Sequence, residues 1–234
     1  MIKQAIIPLA GLGTRLLPLT SIIPKELLPI NGKPGLEYVL DECIDAGIKE
    51  IILIISKKKM MIKHYFQKDN FYKSIIKKKK DKRILKEFKK IKKYKKIIKF
   101  VYQNSPSGTG DAILKAKKLI KGKYFLILLP DDLIIKNNCS KNMISIHKKY
   151  TASVMASMNV KKKDVTRWGI YKVKKKINDK NFLIEGVIEK PSINKAPSNK
   201  AIIGRYILSK KIFTKLKKQK KGKSGEIHIT DAIQ

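Results

Sequence analysis

Cysteines and long hydrophobic runs are scarce in this chain of 234 residues. Cys43 and Cys139 are too few for a disulfide framework and lack metal-ligand spacing, so we expect two small buried residues in a reducing compartment. No stretch of about eighteen uncharged apolar residues occurs, which argues against a membrane-spanning helix. The first apolar strand follows Met1 almost at once, which leaves no room for a signal peptide. A cytoplasmic protein is predicted.

Arginine and tryptophan are also scarce, although the chain is strongly basic. Its formal net charge is +37 and its pI is about 10.1, which would usually favour a nucleic acid or an anionic surface as partner. However, 51 of the basic residues are lysines and only 4 are arginines. Nucleic-acid readers rely on arginine and on aromatic platforms, and Trp168 is the single tryptophan. We interpret the lysine excess as a coding bias and keep a nucleic-acid-binding module as the less favoured alternative.

Residues 7–29 form the most informative stretch, because a turn with two glycines follows a short apolar strand. Gly11 and Gly13 allow the backbone to turn sharply and to approach a ligand closely. Exposed backbone N–H groups in such a turn suit an anion. Arg15 adds a planar fork of donors that matches phosphate oxygens, and Lys25 adds a mobile positive charge. The stretch therefore predicts a phosphate-binding loop.

Two better-known phosphate loops do not fit this chain. The dinucleotide fingerprint needs a third glycine where Leu16 stands. The Gly-Lys-Ser sequence at 222–224 has Lys217 where a Walker loop needs glycine. On the glycines alone, an ordinary turn remains the alternative.

The alternation of apolar strands with amphipathic helices predicts an α/β protein with a parallel sheet and right-handed crossovers. Strands are predicted at 5–7, 50–55, 97–102 and 123–129, and helices at 36–47, 112–120 and 139–150. The remainder has an antiparallel pattern, with strands predicted at 152–160, 169–173, 182–189 and 201–208 and short helices at 212–216 and from 230. The lysine-rich residues 68–96 are predicted to form a solvated helical excursion.

The most apolar predicted strand ends in Pro130-Asp131-Asp132. Carboxylates just past a central strand are costly to desolvate, so a divalent metal ion is a natural partner. The alternative is an aspartate that caps a helix or stabilises a turn.

Several motifs together resemble one enzyme family. Gly11-Leu12-Gly13-Thr14-Arg15-Leu16 followed by Pro24-Lys25-Glu26-Leu27-Leu28-Pro29 is similar to the signature of sugar-1-phosphate nucleotidyltransferases, in particular the bacterial UTP:glucose-1-phosphate uridylyltransferases. Trp168-Gly169, Glu189-Lys190-Pro191 and Ile203-Gly204-Arg205-Tyr206 resemble the sugar-phosphate motifs of the same family. The resemblance runs from Ile2 to Gln234 with one variable stretch. It implies a Rossmann-like, mostly parallel central sheet flanked by helices, with an antiparallel sugar-binding part.

The resemblance implies that glucose 1-phosphate attacks the α-phosphorus of UTP, which gives UDP-glucose and pyrophosphate with Mg²⁺ as cofactor. The nucleophile is already an anion, so no general base is needed. Accordingly, the only histidines, His64, His147 and His228, lie outside the motifs and are expected to be surface or structural groups. One domain spanning 1–234 is implied, with a nucleotide-binding part at about 1–135 and a sugar-phosphate-binding part at about 136–234.

The family motifs also imply roles for individual residues. The nucleotide-binding residues are Ala10, Gly11, Gly13, Thr14, Glu26, Gln103 and Gly108, of which Gln103 and Gly108 would read uracil. The catalytic residues are Arg15 and Lys25 on the triphosphate, Asp131 on Mg²⁺ and Lys190 on the sugar phosphate. The sugar-phosphate-binding residues are Gly169, Glu189, Lys190 and Gly204. Glu26 would contact the nucleotide or brace Lys25, and the alternative for Glu189 and Lys190 is a surface ion pair.

Two departures from the family pattern lead to further expectations. The segment Asn104–Ser107 differs from the glycine- and lysine-containing form expected in the uracil loop. The chain stops at Gln234, whereas the family continues into an Asp-Cys-Gly segment and closing helices. We therefore expect a fragment or shortened form that is poorly active, with a ligand-binding partner lacking turnover as the alternative. Ile227, Ile229 and Ile233 would be short of packing partners, and a homo-oligomer is expected when the closing segment is present.

Overall fold

An eight-stranded sheet organises the computed structural model, which describes residues 1–67, 75, 78, 81–222 and 225–233. The strands are β1 (Gln4–Pro8), β2 (Pro29–Ile30), β3 (Lys33–Pro34), β4 (Glu50–Ile55), β5 (Ile98–Tyr102), β6 (Tyr124–Leu128), β7 (Val154–Asn159), β8 (Gly169–Lys176), β9 (Phe182–Glu189) and β10 (Lys200–Ser209). The helices are α1 (Gly35–Asp45), α2 (Met60–Gln67), α3 (Lys82–Ile97), α4 (Thr109–Lys115), α5 (Cys139–Tyr150), α6 (Ile212–Lys218) and α7 (Ile229–Ile233). Strands β2 and β3 form a separate small hairpin.

The parallel half of the sheet sets the position of the site. Its strand order is β5-β4-β1-β6, and all neighbouring pairs within it run parallel. From β1 the chain moves first to β4 on one side and later to β6 on the other. Because open α/β sheets bind ligands at such a switch point, beyond the carboxyl ends of the strands, the loops after β1, β5 and β6 face a shared crevice. The predicted fold class, a mostly parallel central sheet flanked by helices, is confirmed.

The central strands supply two cores, one on each face of the sheet. Ile7 and Leu53 pack into a core with α1 and α2, whereas Ile6 and Ile52 pack into a second core with α4 and α6. This alternation follows from the two-residue repeat of a strand, and it explains why these segments are apolar throughout.

The antiparallel half is organised around β10. This strand runs antiparallel to β6, β7 and β8, and β9 pairs with β8 at the sheet edge. Between Ile202 and Tyr206 the register of β10 against β7 shifts. Such an irregularity frees backbone groups from the ladder and redirects side chains. Gly204 and Arg205 lie within it, beside the end of β6.

The predicted elements are confirmed with shifts of a few residues at their ends. The largest shift is in the helix expected at 112–120, which begins at Thr109 and ends at Lys115, with a 3₁₀ turn over Lys117–Leu119. The start of this helix was not predicted, because the glycines at 108 and 110 are typical of loops. In the structure, Gly108 lies just before the helix with φ +93°, and Gly110 lies within its first turn.

Only part of the lysine-rich excursion can be compared with the structure, because 68–74, 76, 77, 79 and 80 lie outside the described residues. Helix α3 is amphipathic and mostly exposed, as expected, and Asp81 caps its N-terminus. Its buried Tyr94 donates a hydrogen bond to Asp41 of α1, and Lys90 forms ion pairs with Glu37 and Asp41. Lys90 therefore links α3 to α1 through its ion pairs.

The expectation for the last isoleucines is wrong. Ile229 is buried in the core below α4 and α6, and Ile227 and Ile233 pack against the same core. The short helix α7 finds these partners because it contacts both α4 and α6. Cys43 is fully buried and Cys139 is half-buried. Within the described residues, no helix is long and apolar enough to cross a membrane.

Candidate active site

The loop after β1 presents its backbone at the carboxyl edge of the sheet. Leu9 remains tied to the neighbouring strand, because its N–H donates to the Ile54 carbonyl oxygen at 2.7 Å. Gly13 has φ +73°, which favours glycine, and its carbonyl oxygen accepts a hydrogen bond from Thr20 Oγ1 at 2.8 Å. A methyl group at Gly11 would meet nothing within 4 Å. The loop is thus held from within, while its outer side is open to a ligand.

The predicted phosphate-binding cations meet the predicted metal ligand directly. Lys25 Nζ lies 3.1 Å from Asp131 Oδ2, and Arg15 Nη2 lies 3.7 Å from the same oxygen. Partial burial works against ionisation of Asp131, but the charge and hydrogen bond of Lys25, followed by Arg15, hold the pKa of this carboxyl below its ordinary value. The three side chains form a cluster with one net positive charge at the end of β6.

A fully buried arginine holds both ends of the turn that carries Asp131. Arg205 donates to the carboxylate of Glu42 through Nε and Nη2, at 2.8 to 3.1 Å. Its Nη1 donates to the Leu129 carbonyl oxygen at 3.0 Å, and its Nη2 donates to the Asp132 carbonyl oxygen at 2.7 Å. Because the guanidinium group is planar and rigid, these bonds fix the two residues that flank Pro130 and Asp131.

The neighbouring Asp132 is oriented by the irregularity in β10. The N–H of Gly204 donates to Asp132 Oδ2 at 2.6 Å, and the Gly204 carbonyl oxygen accepts from the N–H of Leu129 at 2.7 Å. Burial, and then the negative charge of Asp131, raise the pKa of Asp132 despite the hydrogen bond from Gly204. The two adjacent carboxyl groups therefore differ in their tendency to ionise.

Glu26 has a partner that the sequence does not indicate. Both of its carboxylate oxygens accept from Lys59 Nζ at 2.8 Å, and both side chains are buried. Burial lowers the pKa of Lys59, although the charge of Glu26 opposes this shift. Lys25 itself pairs with Asp131 rather than with Glu26. The pair joins the turn at Lys25 to the turn after β4, so Glu26 fixes the backbone next to Lys25.

The loop after β5 is covered by residues near the end of the described chain. The N–H of Ile227 donates to the Ser107 carbonyl oxygen at 2.9 Å, and the N–H of Gly110 donates to the Ile227 carbonyl oxygen at 2.7 Å. A methyl group at Gly108 would lie 2.5 Å from that same oxygen. Glycine is therefore required at 108 by close packing as well as by its φ of +93°. Within the loop, Gln103 is almost fully buried.

These loops enclose a cavity of about 340 Å³ at the carboxyl edge of the sheet. Nine of the predicted site residues line it, namely Ala10, Gly11, Gly13, Thr14, Lys25, Glu26, Gln103, Gly108 and Asp131. Arg15 is highly exposed and lies at its rim through its contact with Asp131. Gly169, Glu189, Lys190 and Gly204 do not line this cavity.

The predicted sugar-phosphate residues lie on the antiparallel side of the same region. Gly169 pairs with Glu189 across β8 and β9, and a methyl group at Gly169 would lie 2.9 Å from Glu189 Oε2. Lys190 has φ +44°, and its N–H donates to the Trp168 carbonyl oxygen at 3.0 Å. Burial, followed by the negative charges of Asp132 and Glu189, raises the pKa of Tyr206. The charges of Glu189 and of Asp132 thus both act on this one buried tyrosine.

The model of the nucleotidyl transferase family matches residues 4–234. The chain belongs to this family. A Mycoplasma pneumoniae protein named UTP–glucose-1-phosphate uridylyltransferase is 39% identical over 239 residues, which cover 99% of this chain and 80% of that protein. A UDP-glucose pyrophosphorylase complexed with UDP-glucose has a TM-score of 0.87 at 34% identity, covering 100% of this chain and 86% of the other. A UTP-bound UGPase from Acinetobacter baumannii has a TM-score of 0.90 at 35% identity, covering 100% and 81%. The resemblance found from the motifs is confirmed, and the chain is an enzyme of this family.

Four residues of this nucleotidyl transferase site were given no individual role in the site by the sequence analysis. Lys59 is one of three consecutive lysines, and nothing in the sequence separates it from its neighbours. Arg205 was noted only as part of a motif, although its being one of only four arginines in a lysine-rich chain was a usable signal. Glu226 and His228 line the cavity, and the side chain of His228 is exposed, so this histidine is a surface group, as expected, that also borders the site. Their segment reaches the cavity only because it packs on the loop after β5.

The residues around the cavity were also tested for their fit to a metal ion. No cluster of three or more His, Cys, Asp or Glu side chains suited to a metal occurs in the described ranges. Asp131 offers one hard carboxylate oxygen ligand beside the cavity, and the pKa of this carboxyl is held low. A nucleotidyl transferase can use such a sparse site for Mg²⁺, because this ion is usually held by one or two carboxylates together with substrate phosphates.

Proposed function

We propose that this enzyme transfers the uridylyl group of UTP to glucose 1-phosphate, giving UDP-glucose and pyrophosphate. The observation that carries the proposal is the cavity at the switch point of the sheet, where an open glycine loop, Lys25 and Asp131 converge. The names of the relatives support the same substrates, since they act on or were solved with UTP or UDP-glucose. In the reaction, a phosphate oxygen of glucose 1-phosphate forms a bond to the α-phosphorus, and the bond from that phosphorus to the pyrophosphate oxygen breaks.

The nucleotide would bind in the 340 Å³ cavity. Ala10, Gly11, Gly13 and Thr14 would offer backbone groups to the phosphates, and the cavity wall near Gln103 and Gly108 would hold the base. When the nucleotide binds, Lys25 and Arg15 would give up part of their interaction with Asp131 and would contact the triphosphate instead. Since the pairs in this cluster are partly or fully exposed, breaking them costs little, and two cations become available for negative charge that develops in the transition state.

The sugar phosphate would bind beside the Asp131 turn. Glu189 would accept hydrogen bonds from glucose hydroxyls, and Lys190 would bind the phosphate group. Gly169 and Gly204, which lack side chains, would let the sugar approach the backbone. The nucleophile is already an anion, so the protein contributes alignment and charge neutralisation rather than proton transfer.

Mg²⁺ is proposed as the cofactor, with Asp131 as its ligand from the protein. When bound, the ion would neutralise negative charge on the phosphates and so reduce their repulsion. Asp131 suits this role because its pKa is held low, so the carboxylate stays ionised across the physiological range. Asp132 is set apart by its raised pKa and by its hydrogen bond from Gly204, which suits it to holding the turn.

The proposal is tested by incubating the 234-residue chain with UTP, glucose 1-phosphate and Mg²⁺ and measuring pyrophosphate release and UDP-glucose formation. Turnover that depends on all three components is the expected result. Calorimetry of UTP binding without the sugar phosphate separates binding from chemistry. Binding without turnover would indicate a ligand-binding relative that lacks catalysis. No UTP binding, together with salt-dependent binding of duplex DNA, would favour the nucleic-acid alternative.

A further inference from the structure

The side-chain amide of Gln103 has a fixed orientation in this structure. Its Nε2 donates to the Gly108 carbonyl oxygen at 3.1 Å and to Asp111 Oδ2 at 2.7 Å. Both neighbours are hydrogen-bond acceptors, so the reversed amide would point its own oxygen at a carbonyl oxygen and a carboxylate. Because a carboxamide has only two N–H donors, both are used within the protein.

The remaining polar atom of this amide is Oε1. It accepts no hydrogen bond from any residue that the structure describes, and it is not among the fully buried atoms, since Gln103 borders both the large cavity and a smaller one. A ligand in the large cavity that supplies a donor would replace solvent at this acceptor and form a hydrogen bond of defined direction. The cavity wall therefore selects a group that carries a hydrogen at this position.

Asp111 contacts the amide of Gln103 from outside the large cavity. It lines a smaller cavity of about 300 Å³ together with Lys115, whose Nζ lies 3.5 Å from Asp111 Oδ1. Asp111 does not line the large cavity, so it would act on a ligand only through the amide. It is the first acidic residue of α4, where a negative charge also suits the helix dipole.

From this geometry we infer that Asp111 is a positioning residue for base selection: it locks the Gln103 amide so that Oε1 accepts the N3–H of uracil, and it disfavours cytosine. This inference rests on the proposed function, in which the base lies against Gln103. Uracil carries a hydrogen on N3, whereas cytosine has a lone pair on N3 that would face Oε1. A site built around a specific hydrogen bond rejects an analogue that cannot form it.

The test compares UTP with CTP in calorimetric binding and in pyrophosphate release with glucose 1-phosphate. The wild-type chain is expected to prefer UTP. Asp111→Leu removes the acceptor and should reduce the ratio of UTP to CTP affinity by about tenfold. Asp111→Asn keeps an acceptor oxygen and should retain most of the preference. Lys115→Met is the matched control, because it removes the other partner of Asp111 and leaves the bond to Gln103 in place.

Each outcome bears on the inference. An Asp111→Leu protein with the wild-type ratio would overturn it, and so would equal losses of UTP and CTP affinity, which indicate general damage to the cavity. If Asp111→Asn lost as much of the UTP preference as Asp111→Leu, the effect would come from the negative charge of Asp111 rather than from its acceptor oxygen, and the inference would be wrong. Wild-type transfer from UTP and CTP at equal rates would remove the inference while the proposed function stands. No binding of either nucleotide would remove both.

Discussion

The proposed nucleotide side and the proposed sugar side of the site differ in how far their charged groups are paired within the protein. On the nucleotide side, Lys25 contacts Asp131, and Glu26 contacts the buried Lys59. On the sugar side, the side chains of Glu189 and Lys190 form no ion pair with any residue within the described ranges, which argues against the alternative of a surface ion pair between them. The proposed nucleotide side is therefore held by internal contacts, whereas Glu189 and Lys190 on the proposed sugar side have no ion-pair partner within the described ranges.

The largest effect is expected at the carboxylate where the two sides meet. Asp131→Asn keeps the shape of the turn but removes the charge that would hold Mg²⁺, so turnover should fall by about a thousandfold. Steady-state rates across a Mg²⁺ titration provide the measurement. Asp45→Asn, at an exposed aspartate on α1, is the matched control. Full activity of Asp131→Asn would contradict the metal assignment.

The next effect separates the two sides. Lys190→Met should raise the KM for glucose 1-phosphate by about ten- to a hundredfold, because a hydrogen bond to a charged group contributes about 1.5–3 kcal/mol. UTP affinity and unfolding free energy should change little, because no residue of the described chain pairs with the Lys190 side chain. Initial rates at saturating UTP and calorimetry of UTP measure the two quantities. A comparable loss of UTP affinity would mean that the two sides are not separate.

A pair of glycine substitutions sharpens the same comparison. Gly204→Ala would bring a methyl group within 2.4 Å of Leu129 Cβ, so the unfolding free energy should fall by about 1–3 kcal/mol. Gly11→Ala meets no atom within 4 Å and should leave stability nearly unchanged while weakening UTP binding. Urea denaturation and calorimetry distinguish the two variants. A strongly destabilised Gly11→Ala would show that this loop is packed rather than open.

The smallest expected effect is a shift in the titration midpoint of the Asp131 carboxyl group. The pKa of Asp131 is lowered because Lys25 outweighs partial burial, so this group stabilises the fold above its unfolded pKa of about 3.9 and loses that contribution as pH falls through its folded pKa. Lys25→Met should raise the midpoint toward the ordinary value. Carbon-detected NMR of the Asp131 carboxyl measures it. An unchanged midpoint would mean that Lys25 does not control this carboxylate.

The parts that could be predicted from sequence are those where local pattern and tertiary environment agree. The strand before the glycine loop and the strand before Asp131 are apolar because both of their faces are buried, so periodicity was sufficient. The loop residues were found because glycine, lysine and aspartate occur there in a recognisable order. Nine of them line one cavity.

What could not be predicted depends on contacts between residues far apart in the chain. The pairing of Lys59 with Glu26 and of Arg205 with Glu42 is set by how elements cross, and neither partner leaves a periodic signal. The burial of Ile229 was not predicted because only the length of its five-residue helix was considered, and not the contacts that the helix makes. Its stability comes from packing against α4 and α6, which tertiary structure alone provides.

The accessibility of the two cysteine thiols reports local opening of the enzyme. Burial raises the pKa of Cys139 to about 11 and raises that of Cys43 further. Since only a thiolate is alkylated, neither thiol reacts readily while α1 and α5 stay packed together. We expect local fraying at the start of α5 to expose the half-buried Cys139, whereas the exposure of Cys43 requires α1 to leave the sheet. Pulsed alkylation with mass counting thus separates the two kinds of opening in an unmodified chain.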